Sequence, residues 1–504
     1  MVLVIVVAKF IHSRINIISN IILQIANIFS WFIIPKIILT YFGSDVNGLV
    51  SSITQFLSYI TLIEGGVTGV VMASLYKPLV NNDNKKISAI IKTSQKFYKK
   101  VGIIFSIYCL ILATVYPLLF NTGFNYLYVF SLVIVLSINL LIQYMYSLAF
   151  RNLLNADKKG YVVSFTQTLI LVLGILLSYI SVAIYPSIHI LKLITGLLFV
   201  LQPIIYNKYV KNHYNIMHDA KDDKNLLKNR WNGFAINIAA FIHNCTDIAI
   251  LTIFTNLATV SIYSVYSIVT NGLRSIFNAV SNAIVPNIGQ AYASENTEEI
   301  NSKMDLYEFV TFNLVFYMFT IAALLITPFV MIYTHGINDA NYNQLIFGVL
   351  LVVSEAIYLI KFPHLNLSYS ANKFKELTIP AFLEAGINII VSLVFVSKLG
   401  LIGVAIGTIC GMIYRLIYQV YFSTKLIKNR PQKVFYKKLL VYIIFTLIGL
   451  TLCYYFVPIS KFNIGSFIKT SIVYACLFGV MYFVASIVAF NNELKYLKNY
   501  LIKR

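Results

Sequence analysis

A chain of 504 residues that is 59% hydrophobic and only 11% charged falls far short of the quarter or so of charged residues that a soluble domain carries, which excludes an ordinary soluble fold. Its net charge of +21 would suggest nucleic acid in a soluble chain, but here Lys and Arg gather between apolar runs, so the charge follows membrane topology and no nucleic-acid partner is implied. There is no Walker A, HExxH or GxSxG motif, which excludes ATP-driven transport within the chain and speaks against hydrolytic catalysis.

Taken in chain order, apolar runs of bilayer-crossing length recur about fourteen times. They lie over 16–40, 48–75, 99–120, 126–150, 161–184, 187–208, 232–255, 260–291, 308–333, 343–363, 378–397, 400–424, 437–457 and 466–489. The opening "MVLVIVVAKFIHSR" is a poor signal peptide, since its charges follow the apolar run, and reads as an interfacial lead-in. Most of the 39 Lys and Arg, Lys361 among them, fall on one face of this topology. The positive-inside rule makes that face cytoplasmic, with both termini inside. The acidic stretch "SENTEEINSKMDLYE" belongs to the same face.

The first span carries Asn16, Asn20, Gln24 and Asn27 on one helical face, a stripe that reads as helix–helix hydrogen bonding or as the lining of a cleft, and Lys36 follows Pro35 near its outer end. The second holds Glu64 in "LIEGGVTG", which reads equally as close packing or as glycines that loosen the helix for bending beside a carboxyl able to carry a proton. In the seventh, Asn237, Asn244 and Asp247 share a face; in the eighth, Asn271, Arg274, Asn278, Ser281 and Asn282 do. Glu355, Glu384 and Arg415 complete the charges within spans. Burying such a residue costs about 2.5–3.5 kcal/mol even on the mildest scale, so each calls for a cavity or a partner charge. For Arg274 two readings stand open, an ion pair with Asp247 or the lining of an anion-binding cavity. Arg415 lies near a span end, where it has room to snorkel. Lys36 reads as a cavity cation or as an interfacial anchor. Gly403, Gly407 and Gly411, four apart, read as a helix-packing seam. The five cysteines are scattered singly and no histidines pair as ligands, so no metal site is expected.

Shifting the chain by 215 residues lays "GLVSSI" from Gly48 on "YSVYSI" from Tyr263, and "NADKK" from Asn155 on "SANKF" from Ser370. The expected fold is therefore an all-α membrane protein: two parallel six-helix lobes related by pseudo-two-fold symmetry along the membrane normal, plus two C-terminal helices. The divisions are an N-lobe over 1–207, a basic cytoplasmic linker over 208–230, a C-lobe over 231–424 and the C-terminal helices and tail over 425–504.

The stretch "YFGSDVNGLVSSITQFLSYITLIEGGVTGVVMASLYKPL" (41–79) resembles the signature of the polysaccharide-export (Wzx-type) oligosaccharide flippases. These belong to the superfamily that includes multidrug and toxin extrusion (MATE) transporters and lipid II flippases. Gly43, Gly48, Leu49, Leu62, Ile63, Glu64 and Gly66 match; Asn47 replaces a tyrosine, Glu64 an aspartate, and "VVMAS" lacks the family's frequent arginine. Farther on, Thr246, Asp247, Ile262, Tyr263 and Ser264 match, Ser261 stands where Gly is usual, and "SNAIVPNIGQAYASEN" resembles the following helix end.

The resemblance implies alternating access for an undecaprenyl-diphosphate-linked oligosaccharide, carried from the inner to the outer leaflet of a bacterial cytoplasmic membrane for cell-surface polysaccharide. Partners would be that glycolipid, membrane lipids, the polysaccharide polymerase and glycosyltransferases. No cofactor is expected beyond a coupling proton or Na⁺ at Glu64, Asp247, Glu355 or Glu384. Arg274 suits a diphosphate because guanidinium binds phosphate oxygens bidentately, and the amides suit sugar hydroxyls. The alternatives are a MATE-like cation-coupled exporter of small organic molecules and a membrane-bound glycan ligase or transferase.

Overall fold

The computed structural model describes residues 2–217 (except 65), 219, 222–223, 226, 245–294, 296–428, 430–456, 463–489 and 494, with backbone alone for 2–14, 63, 456, 488 and 489. Among them, eleven helices are long and apolar enough to cross a membrane. The protein is a nearly all-helical, multi-pass membrane protein. The chain divides into two compact units, Met1–Phe241 with Asn256–Ser261, and Ile242–Thr255 with Ile262–Arg504.

The first unit opens with α1 (Val2–Leu57), which joins the expected first span to the start of the second. Gly43, at φ 82° and ψ 179°, kinks it, a conformation that only a residue without Cβ adopts cheaply. The expected 48–75 span is not one helix. A 3₁₀ turn (Ser58–Ile60) leads into α2 (Thr61–Glu64), Gly66 turns left-handed at φ 78°, and α3 (Val67–Val80) follows. The loosening expected of the glycines is thus a complete break. α4 (Asn84–Leu119), capped by Asp83, braces the end of α1: Tyr116 donates to Ser52 Oγ at 2.7 Å and Tyr108 to the Phe56 carbonyl at 2.8 Å. α5 (Tyr126–Ile142), a π-helical turn (Gln143–Ser147) and α6 (Leu148–Ala156) follow. α7 (Gly160–Ile184) packs along α1, and α8 (Ile188–Leu197) and α9 (Leu201–His213) complete the unit.

The second unit contains α10 (Cys245–Phe254), the greater part of α11 (Leu257–Ala293), α12 (Thr297–Tyr333) and α13 (Leu345–Ile360). α12 begins well before the expected 308. Asn296 accepts from the amides of Glu298 and Glu299 at 3.1 Å, a side-chain cap with acids in the first turn, so the polar stretch winds as helix. α14 (Phe362–Ser370), α15 (Phe374–Leu399) and α16 (Leu401–Thr424) follow. Two C-terminal helices, α17 (Gln432–Phe456) and α18 (Ile464–Ala489), pack on α12. The anchor of α17 is electrostatic. Fully buried Glu308 accepts from Arg430 at 2.6 Å and Lys438 at 3.0 Å, and Asp305 takes both cations at 3.1 and 2.8 Å.

The glycine seam packs as expected. A Cβ on Gly403 would meet Phe395 C at 2.5 Å, on Gly407 the Asn388 carbonyl at 2.7 Å, and on Gly411 the Glu384 carbonyl at 2.8 Å. α15 and α16 therefore touch backbone to backbone, which sets Glu384, Asn388 and Ser392 opposite α16. Gly407→Ala should lower the unfolding midpoint of the purified protein, by an overpacking cost of about 1–3 kcal/mol. Gly386→Ala, where a Cβ meets nothing within 4 Å, should hold or raise it; equal midpoints would refute the seam.

Candidate functional site

Apart from the Glu308 cluster, five charged side chains of the second unit form one continuous string. Glu355, Tyr358 and Lys361 are spaced three apart along α13 and the residue that follows it, so they share a stripe. Arg274 on α11 grips Glu355 with two nitrogens: Nε donates to Oε1 at 2.5 Å and Nη2 to Oε2. The ring of Tyr358 lies between two cations, with the Arg274 guanidinium 5.1 Å and the Lys361 ammonium 4.4 Å from its centroid. Lys361 then donates to Glu384 on α15 at 3.1 Å, and Glu384 also faces Arg415 of α16 at 3.5 Å. Arg415 donates on to the Leu377 carbonyl at 3.2 Å. Three cations thus share two carboxylates, leaving an excess positive charge. Lys361, Glu384 and Arg415 are all buried, whereas the Arg274 side chain keeps a quarter of its surface exposed.

Several expectations change here. The ionic partner of Arg274 is Glu355, not Asp247, because Glu355 lies on the helix that faces it while Asp247 is held elsewhere. Arg415 does not snorkel; its head is buried against Glu384, 3% of the residue remaining exposed. Lys361 is no loop cation. Pro363, which has no amide to donate, stands where α13 gives way to α14, and this juncture leaves the lysine inside the bundle.

Asp247 is buried on α10 among neutral donors, with Tyr263 OH at 2.9 Å and Thr408 Oγ1 at 3.0 Å, and Asn388 lies against the same carboxylate. Glu64, in the first unit, is likewise held by hydroxyls, those of Tyr144 at 3.1 Å and of Thr68. Two of the four expected coupling carboxylates are therefore neutralised by cations and two are not.

The amide stripe of the first span is largely structural at its start. Asn16 donates to the Lys158 carbonyl at 2.6 Å and accepts from the Tyr161 amide at 2.7 Å, fastening the start of α7; Asn20 accepts from Ser164 at 2.9 Å. Gln24 is exposed and Asn27 half-buried on α1, Lys36 is half-buried, and on α11 Asn271 is exposed and Asn278 half-buried. Among the described residues, neither Asn271 nor Asn278 bonds through its side chain to the charge string. Asn237 and Asn244 lie outside the described residues. On the faces of α13 and α16 turned away from the string, and between them and α12 and α17, lies an apolar cavity of about 510 Å³ lined by Phe316, Phe319, Val353, Ile357, Ile417 and Ile443.

No protein-family model and no curated sequence matches the chain. Solved structures do. The lipid II flippase MurJ in its inward closed conformation superposes with a TM-score of 0.72 at 16% identity, over 94% of this chain and 99% of that one. A multidrug resistance MATE family transporter of the MOP superfamily, inward-facing, reaches 0.59 at 15% identity over 84% and 99%. The chain has the fold of these transporters. MATE in a bent conformation matches at 0.54, with 16% identity over 83% and 97%.

The Arg274–Glu355 pair makes a direct energetic prediction. Glu355→Ala or Arg274→Ala alone strands its partner and should cost on the order of 3–5 kcal/mol, while the double substitution should recover much of that loss. Thermal unfolding of the four purified proteins measures it; strictly additive losses would show that the pair is not coupled.

Proposed function

We propose that the protein is a flippase for an undecaprenyl-diphosphate-linked oligosaccharide, moved outward across a bacterial cytoplasmic membrane by alternating access to feed cell-surface polysaccharide. The observation that carries this reading is the positively biased charge string ending in partly exposed Arg274. Guanidinium and ammonium groups in a low-dielectric site attract the oxygens of a diphosphate headgroup. The bidentate Glu355 contact holds Arg274 in place until the headgroup competes for it.

The fold shared with a lipid II flippase over nearly the whole of both chains supports the same class. The likeness to MATE transporters keeps open a cation-coupled exporter of small organic molecules, but a site for organic cations calls for acidic excess, and here the excess is basic. Asp247 is the carboxylate best suited to a coupling Na⁺ or proton. It offers one negative charge beside the hydroxyl oxygens of Tyr263 and Thr408, the kind of hard ligand a small monovalent cation prefers. In this reading both termini are cytoplasmic, and polymerase and glycosyltransferases act beside the protein.

Deletion of the gene should trap lipid-linked repeat units on the inner leaflet, and Arg274→Ala should fail to restore glycan export despite normal membrane insertion. Asp247→Asn should export weakly and without response to a cation gradient. Full export by Arg274→Ala, or restored drug resistance in a pump-deficient strain with no effect on glycan, would overturn the proposal.

A further inference from the structure

The first unit holds a second cavity, lined by polar and apolar groups together, that the charge string does not use. It encloses about 340 Å³ and is walled by exposed Lys99, Asn207 and Lys211 and by buried Tyr98, Tyr144 and Ser147. The exposed residues mark its mouth and the buried ones its floor. Both floor tyrosines reach Glu64. Tyr144 donates to Oε2 at 3.1 Å. Tyr98 OH lies 2.9 Å from Thr68 Oγ1, and Thr68 in turn donates to Oε1.

The direction of these bonds matters. A carboxylate only accepts, so Thr68 spends its proton on Glu64 and must accept from Tyr98. Asn152 donates to the Tyr98 oxygen at 2.8 Å from behind, which leaves the Tyr98 proton pointing toward Thr68. Every hydroxyl in the chain is therefore polarised toward Glu64. At the cavity floor the Ser147 hydroxyl is buried without a protein partner, as are Gln202 Oε1 and Tyr206 OH on α9, the helix that supplies Asn207 and Lys211 to the mouth. Orphaned buried polar atoms beside a partly polar cavity of this size are satisfied by water. Ser147 and Tyr144 belong to the π-helical turn Gln143–Ser147, a distortion that recurs at functional sites. Glu64 itself ends α2 at the break completed by left-handed Gly66.

We infer that this cavity is a water-filled path by which protons pass between Glu64 and the lysine-rich side of the membrane, cytoplasmic by the positive-inside rule. The inference deepens the transport reading and rests on it for the direction of flow. In the transfer, Tyr144 gives its proton to Glu64 and takes one from a hydronium ion in the cavity; by the second branch Thr68 gives, Tyr98 refills Thr68, and the hydronium ion refills Tyr98, leaving water. The excess proton of a hydronium ion is thereby moved, with no net change in any hydroxyl. The reverse sequence returns it. The charged and titratable groups about the relay are Tyr98 on α4, Tyr144 on the π-turn and Arg151 on α6, within electrostatic reach of Tyr98, with Lys99 and Lys211 at the mouth. Once neutral, Glu64 holds the hydroxyls of α3 and the π-turn less firmly, so proton occupancy bears on the break beside it.

The test is infrared difference spectroscopy of the purified full-length protein in lipid nanodiscs, between acid and neutral buffer and after a pH jump. The wild-type difference spectrum minus that of Glu64→Gln should leave one protonated-carboxyl component, that of Glu64, apart from the bands of the other carboxyls. Asn207→Trp, which plugs the mouth at an exposed position, should keep that component and slow its exchange on the order of a hundredfold, as should Tyr98→Phe with Tyr144→Phe. A Glu64→Gln spectrum identical to the wild type, or wild-type exchange rates in Asn207→Trp, would overturn the path. Proton exchange needs no glycolipid. A protein that passes this test and exports no glycan loses the transport reading alone, and one that exports glycan and fails it loses the path alone.

Discussion

An ionised group inside a membrane protein must be answered by an opposite charge or by water, because the hydrocarbon solvates neither a guanidinium nor a carboxylate. In the second unit that requirement is met by a string in which Glu355, Arg274, Tyr358, Lys361, Glu384 and Arg415 each lean on the next. Removing one member leaves its neighbour exposed to the full desolvation penalty. The string therefore constrains four helices at once and gives them a shared electrostatic state, with one cation more than the carboxylates neutralise.

The backbone supplies the precision that such charges need. Contact of α15 with α16 through Gly403, Gly407 and Gly411 sets Glu384 against Arg415 and Asn388 near Asp247. The buried Glu308 network, together with the hydrogen bond between Thr446 and Tyr482 of α18 at 2.7 Å, does a similar service for α17, whose apolar contacts alone lipid tails would match equally well. Rigid packing and paired charge thus serve each other: the seam fixes the distances, and the ion pairs penalise any other register.

Much of this was legible in the sequence because the bilayer writes a simple rule. Apolar length marks each helix, the Gly-x-x-x-Gly spacing marks the seam, and an isolated Arg or Glu in an apolar run marks a site. Pairing was not legible. Arg274 had several carboxylates to choose from, and only the crossing of α11 with α13 selects Glu355 over Asp247. Lys361, at the end of the expected 343–363 span, counts with the cytoplasmic cations, although its three-residue spacing from Tyr358 and Glu355 was available. Asn16 and Asn20 form the expected stripe and use it as helix-to-helix hydrogen bonding: it faces α7 and satisfies backbone and hydroxyl groups there. The break at Gly66 was foreshadowed by its glycines, but the hydroxyls that gather on Glu64 come from α3 and the π-turn, which no local pattern brings together.

The central claim is that the basic excess of the second unit recognises a diphosphate carried on an apolar chain. Native mass spectrometry of the purified protein with undecaprenyl diphosphate and with undecaprenol, in wild type and Arg274→Ala, measures this most directly. The account predicts tighter binding of the diphosphate by the wild type and loss of that preference in the variant. Equal retention of both lipids by the wild type, or an undiminished preference in Arg274→Ala, would contradict it.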